Sequence, residues 1–116
     1  MRLETLRNRR DFLAAARAGK AVTAGMIVQR RRRRADEAGE ADIRVGYTAS
    51  KKVGNAVLRN RAKRRMRAVM RDVLGETELS GVDIVLIARS GATVDRPYDA
   101  LRGDLEYALR KLAGPR

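Results

Sequence analysis

The chain contains no histidine, no cysteine and no tryptophan. Without histidine, a Ser-His or Cys-His nucleophile pair, a histidine general base and a histidine metal site are all excluded. Without cysteine there is no disulfide framework and no thiolate metal site. Aromatic residues make up 3% of the chain, one Phe and three Tyr, so any core must be built from aliphatic side chains. Neither the GxxxxGK[ST] nor the GxGxxG phosphate-binding fingerprint occurs. No apolar run approaches the roughly 18 residues of a membrane span. The first ten residues are polar and basic and lack a secretory apolar region. A cytoplasmic protein is expected, one that binds rather than catalyses.

What the chain has in excess is positive charge. Its 116 residues carry 27 Lys or Arg against 14 Asp or Glu, a formal net charge of +13. The length suits one domain, and 44% hydrophobic residues can supply its core. The charge is uneven: residues 1–71 hold 21 basic against 6 acidic residues, and residues 72–116 hold 6 against 8. Segregated basicity points to a polyanionic partner.

The centre of that asymmetry is the stretch from Ser50 to Arg71. Between Lys51 and Arg71 stand nine Lys or Arg and no Asp or Glu. Like charges three or four residues apart oppose a helix, so an external polyanion is expected to supply the missing negative charge. Gly54-Asn55 punctuates the stretch, and Asn55 is a suitable N-cap. At about 100° per residue, Leu58, Ala62, Met66, Val69, Met70 and Val73 share one narrow face. The spacing predicts one amphipathic helix from about Ala56 to Leu74. Its apolar stripe docks, and Arg59, Arg61, Lys63, Arg64, Arg67 and Arg71 spread over the rest. Arg65 lies at the edge of the stripe, where its stem can be half-buried.

Around this helix the chain reads as a small α/β domain. Residues 1–7 are expected to be a mobile basic arm, with Leu3 and Leu6 able to tuck in. Asn8 to Ala18 reads as a helix ending at Gly19, with Phe12, Leu13 and Ala16 on its apolar side. Val22 to Arg33 reads as a strand that runs out into five consecutive Arg, Arg30 to Arg34, projecting from a sheet edge. Asp36, Glu37, Glu40 and Asp42 form an acidic turn whose spacing matches no EF-hand loop. Ile43, Val45, Tyr47 and Ala49 alternate with polar or small residues, the period of a strand with one buried face. Val82 to Ala88 is an apolar, β-branched run, as in a central strand. Strand, basic helix and strand then make a βαβ unit. Ser90 to Arg96 reads as a turn, and Pro97 opens a last helix to about Leu112 with Leu101, Leu105, Ala108 and Leu109 inward.

A basic helix alone suits a DNA groove, a structured RNA or an anionic membrane. The apolar stripe is used up by the core, which disfavours membrane. A helix-turn-helix needs a helix where a strand is predicted, which disfavours DNA. RNA is preferred on these grounds. A general RNA-binding protein without a processing role and a free-standing nuclease are the rival readings.

The block Ser50-Lys51-Lys52-Val53-Gly54-Asn55-Ala56-Val57, continued by Arg59-Asn60-Arg61 and Lys63-Arg64, closely resembles the signature of the bacterial ribonuclease P protein component family. The triplet Arg7-Asn8-Arg9 lacks the surrounding pattern and carries no weight. The resemblance extends as a pattern over most of the chain. It implies a two-layer α/β sandwich of order αβββαβα, with about four strands and three helices. The basic helix then lies in a βαβ crossover of the uncommon left hand, and Lys20 to Ala24 is the place for the one strand not read directly. It also implies a partner, a large catalytic RNA, in a one-to-one complex that removes the 5′ leader from precursor tRNA. Hydrolysis belongs to that RNA and its Mg²⁺, whose requirement the protein lowers. No catalytic side chain and no protein metal site is assigned. Carried over, Lys51, Lys52, Arg59, Asn60, Arg61, Lys63, Arg64 and Arg67 face RNA. The family's leader cleft lies between the first helix and the sheet and uses aromatic platforms. Phe12 matches one platform. Ala16 and the Val28-Gln29-Arg30 segment stand where others are expected, so leader contact is assigned to Phe12 and Arg30.

Overall fold

The computed structural model describes residues 3–34, 43–75 and 79–113. The element order is β1 (Leu3–Thr5), α1 (Arg9–Ala16), β2 (Gly19–Val22), β3 (Met26–Arg32), β4 (Ile43–Thr48), α2 (Ala56–Leu74), β5 (Val82–Ala88), α3 (Ala92–Asp95) and α4 (Tyr98–Ala113). A single 3₁₀ turn, Lys51–Val53, stands between β4 and α2. One mixed sheet of five strands results, in the order β1-β4-β5-β3-β2. The acidic turn at Asp36 to Asp42 lies outside the described residues.

β4 and β5 are parallel neighbours joined through α2, the predicted βαβ unit. β5 is central because nearly all of it is buried, as a strand covered on both faces must be. Its alternation divides the core in two. Val82, Ile84 and Leu86 join Ile43, Val45, Met26 and Val28 in a large aliphatic cluster with α2 and α4. Val85 and Ile87 turn to the other face, with Leu6, Phe12 and Ala15. The sheet is therefore covered on both sides, α1 forming a partial third layer where two layers are expected.

Of the expected arm, residues 3–6 are tied to the sheet, and residues 1 and 2 lie outside the described residues. Leu3–Thr5 pair with β4 in parallel, and the Leu6 amide donates to the Val45 carbonyl at 2.9 Å. Leu6 is buried against α1, and its burial tethers the segment. The strand count rises to five accordingly. Gly19 does not end α1 but opens β2, and Thr23 makes the hairpin into β3: its hydroxyl donates to the Met26 carbonyl at 2.6 Å and accepts from the Met26 amide at 3.1 Å. β3 lies between β5 and β2, but β2 pairs with it only as far as Arg30, so the arginine run continues past the end of β2 with one side of the strand open. The expected turn after β5 holds the one-turn helix α3.

Asp83, the second residue of β5, is fully buried. Arg44, across the ladder on β4, grips it with a fork, Nε to Oδ1 at 2.8 Å and Nη2 to Oδ2 at 2.7 Å. Arg33 and Arg31 donate to the same carboxylate at 3.1 and 3.4 Å. Arg44 also reaches Asp11 of α1 at 3.5 Å, so the cluster pins α1 to the sheet. Breaking a buried pair by removing one partner leaves uncompensated charge, at about 3–5 kcal/mol. Asp83→Ala is expected to lower unfolding stability by about that amount. Urea denaturation of the isolated protein checks it, and a loss below about 1 kcal/mol would mean the cluster is solvent-screened.

Candidate nucleic-acid interface

α2 spans the predicted residues, and local chemistry explains its start. Gly54 takes φ 143°, a conformation that L side chains rarely adopt, and a Cβ there would lie 2.5 Å from Leu58 Cδ1. Asn55 Oδ1 accepts the Leu58 amide at 3.0 Å, the expected N-cap. The helix packs through Ala62, Met66, Val69, Met70 and Val73, all buried, while Leu58 is half-buried. Its first turn has no acidic residue, so the positive end of the helix dipole stays available to an outside anion.

The opposite arc is cationic. Asn60, Arg61, Arg64, Arg67 and Arg71 are exposed, and Arg59 and Lys63 are half-exposed. Among the described residues, no carboxylate pairs with Arg59, Arg61, Lys63 or Arg64. The Nε of Arg59 is buried without a hydrogen-bond acceptor in the fold. Asp72, in the last turn of α2, is engaged by the Tyr98 hydroxyl. Lys51 and Lys52 are both exposed on the 3₁₀ turn. That turn is anchored from three sides. Val53 is buried beneath it, Ser50 Oγ accepts the Lys52 amide at 3.3 Å, and Ser90 Oγ donates to the Lys52 carbonyl at 2.9 Å. Eight of the sequence-predicted residues thus share one continuous surface at the start and along the free side of α2.

Arg65 leaves this surface. Its Nη1 donates to the carbonyls of Thr93 and Val94, both at 2.7 Å, and its Nη2 to that of Arg96. It caps α3, which is why it is half-buried at the edge of the stripe.

Tyr47 was legible only as a strand residue. The structure places it under the arc, with the Arg67 guanidinium 5.0 Å from its ring centroid, a cation–π contact. The pair orients Arg67 on the surface while the ring completes the core.

The second predicted site divides. Phe12 is half-buried over Gly46, where a Cβ would collide with its ring, and it belongs to the small cluster on the α1 face. Arg30 does not share that face. In β3, Met26 and Val28 point into the large core, so Arg30 follows them and Gln29 and Arg31 point the other way. Arg30 Nη1 donates to the Leu109 carbonyl of α4 at 3.3 Å. Its expected place beside Phe12 is corrected by the two-residue period of the strand. Gln29 occupies the α1 face instead, as alternation from Val28 implies.

Burial raises the Tyr47 phenol from 10.0 to about 12, against the opposing fields of Arg67 and Arg71. The unfolded phenol ionises first, so this contribution to stability is whole below pH 10 and is lost as pH rises through about 12. Melting temperatures between pH 9 and 12 should fall less steeply in Tyr47→Phe than in the parent. Parallel curves would mean that the phenol is not held neutral by the fold.

A family model for ribonuclease P matches residues 1–113. The ribonuclease P protein component of Ruegeria pomeroyi is 54% identical over 115 residues, covering 98% of this chain and 90% of that one. That of Gluconacetobacter diazotrophicus is 47% identical over 111 residues, covering 95% and 91%. The fold is similar to the solved RNase P protein of Staphylococcus aureus (TM-score 0.71, 27% identity, 92% of this chain and 93% of that one). It is equally similar to that of Thermotoga maritima (TM-score 0.71, 29% identity, 94% of each). The chain belongs to the ribonuclease P protein component family, the protein part of a ribonucleoprotein endonuclease of tRNA processing.

Proposed function

We propose that this chain binds the ribonuclease P RNA through the free arc of α2 and the Lys51-Lys52 turn. The observation that carries this reading is a docked helix whose outward arginines lack carboxylate partners among the described residues. Arg59, Arg61, Arg64 and Arg67 neutralise backbone phosphates, with Lys51, Lys52 and Lys63 beside them. Asn60 can donate and accept at a phosphate, a 2′-hydroxyl or a base edge. The 5′ leader of precursor tRNA lies along the α1 face of the sheet with Phe12 as a stacking platform, and Arg30 has no part there. Hydrolysis belongs to the RNA and its Mg²⁺, and the protein lowers the Mg²⁺ requirement. One protein serves one RNA in the cytoplasm. The crossover β4-α2-β5 is read as left-handed: the Val45 carbonyl faces β1 while its side chain faces α2, which for L residues puts β5 on the left when viewed from the helix.

Reconstitution with a ribonuclease P RNA and a precursor tRNA at low Mg²⁺ tests the reading. The protein should stimulate 5′ cleavage, and protein without RNA should give none. With about seven phosphates neutralised, log K should fall with log salt at a slope of roughly −5 to −6. A flat response would remove the electrostatic footprint. Arg61→Glu should weaken assembly with the RNA at least tenfold, about 1.4 kcal/mol. Because Arg61 is exposed, its effect on folding stability should stay within about 0.5 kcal/mol. Equal losses in assembly and folding would mean that the helix faces inward there.

A further inference from the structure

Lys63, Arg64 and Arg65 are consecutive cations on α2, and the fold gives the third different surroundings. Arg65 is half-buried, and its three donations go to the carbonyls of Thr93, Val94 and Arg96, the open end of α3. Those carbonyls are themselves held in place. Thr93 is fully buried. Its hydroxyl donates to the Gly25 carbonyl and accepts the Arg89 amide at 2.7 Å. Arg89 Nη1 donates to the Thr23 carbonyl at 2.6 Å, so the hairpin between β2 and β3 is tied to the same corner. Arg96 is gripped by Asp104 of α4, Nε to Oδ2 at 2.6 Å and Nη2 to Oδ1 at 3.1 Å. Ser90, at the start of the corner, holds the Lys52 carbonyl. One segment, Arg89 to Arg96, thus carries α2 through Arg65 and the Lys51-Lys52 turn through Ser90.

Apolar burial does not supply this constraint. α2 rests on the sheet through Ala62, Met66, Val69, Met70 and Val73. Such contact is non-directional, and methionine side chains adapt to small shifts. It leaves the roll of the helix about its own axis softly defined. A planar guanidinium forked onto fixed carbonyls is directional. Roll matters here because outward side chains of a helix end about 6 Å from its axis. A roll of about 15° carries such a group about 1.5 Å, beyond the tolerance of a charge-assisted hydrogen bond. Arg65 itself is turned to the corner, and both of its terminal nitrogens are committed there.

We propose that Arg65 is a positioning residue for assembly with the ribonuclease P RNA. It sets the roll of α2 against the segment that also holds the Lys51-Lys52 turn, so that Arg61, Arg64 and Arg67 meet RNA in register with Lys51 and Lys52. Arg65 does not touch the RNA. The proposal rests on the reading of the α2 arc as the RNA-binding surface, and adds what keeps that surface in shape.

The test measures binding of the full chain to ribonuclease P RNA alone, without precursor tRNA, over a range of salt. The parent, Arg65→Met, Thr93→Val and the double variant are compared at a temperature where urea titration shows each to be folded. Arg65→Met keeps the stem and loses the donors. Thr93→Val is nearly isosteric, uncharged and buried, so it reaches the RNA only through the corner. Each single variant should bind about fivefold or more weakly, and the double variant no more than about twofold worse than the weaker single, because both break one support. If Thr93→Val binds like the parent while Arg65→Met loses affinity and its salt slope falls by about 0.9, Arg65 is an ordinary phosphate contact and the proposal is overturned. Folded single variants that both bind within about twofold of the parent overturn it too, since Arg65 then only stabilises the fold. Losses that multiply in the double variant also count against it. If Arg61→Glu leaves RNA affinity unchanged, the reading of the arc itself fails and this proposal with it. Should Arg65→Met or Thr93→Val be unfolded at the assay temperature, Ser90→Ala decides, because its hydroxyl is exposed and uncharged. A loss of about twofold or more then supports the proposal, and an unchanged affinity overturns it.

Discussion

The burial of five side chains on α2 sets the terms for the rest of the molecule. Ala62, Met66, Val69, Met70 and Val73 seat the helix on an aliphatic sheet face. Nothing in the helix's own charge pattern favours its formation, since neighbouring cations repel. Tertiary burial must outweigh that repulsion. Once it does, the remaining positions cannot turn inward, and the cations are presented outward at fixed spacing. The 3₁₀ turn works on the same plan: Val53 is the anchor, and Lys51 and Lys52 are what it holds out.

The molecule treats its arginines in two ways. Arg31, Arg33 and Arg44 converge on Asp83, Arg96 pairs with Asp104 at 2.6 Å, and Arg65 and Arg30 satisfy helix-end carbonyls. These hold elements together. Arg61 and Arg64 do none of this. Net charge does not separate the two groups, because both contribute equally to it. What separates them is whether the fold supplies an acceptor, and that depends on which strand or helix face each residue occupies.

Much of this was readable in advance. The limits of α2, its Asn55 cap, its apolar stripe and the odd position of Arg65 all follow from local spacing. The βαβ unit follows from the order of two strand patterns about it. What stayed hidden depends on contacts distant in sequence. Leu3 to Thr5 is too short to show a period, and only its pairing with β4 makes it a strand. Asp83 stands out as a lone carboxylate in an apolar run, but its three partners come from β4, from the end of β3 and from the residue just beyond it. Arg30 was assigned by position along the chain, when the parity of β3 decides which side it occupies. The same parity brings Gln29 to the α1 face.

The strand order has a consequence for synthesis. β1 and β4 form one pair and β2 and β3 another, and β5 alone joins them. β5 is the last of the five to leave the ribosome, yet it fills the middle of the sheet. Until Val82 to Ala88 emerge, the nascent chain carries its whole basic block with no completed platform beneath it, and closure must await distant partners. A polyanion already present at that stage would meet those cations before the protein has finished folding.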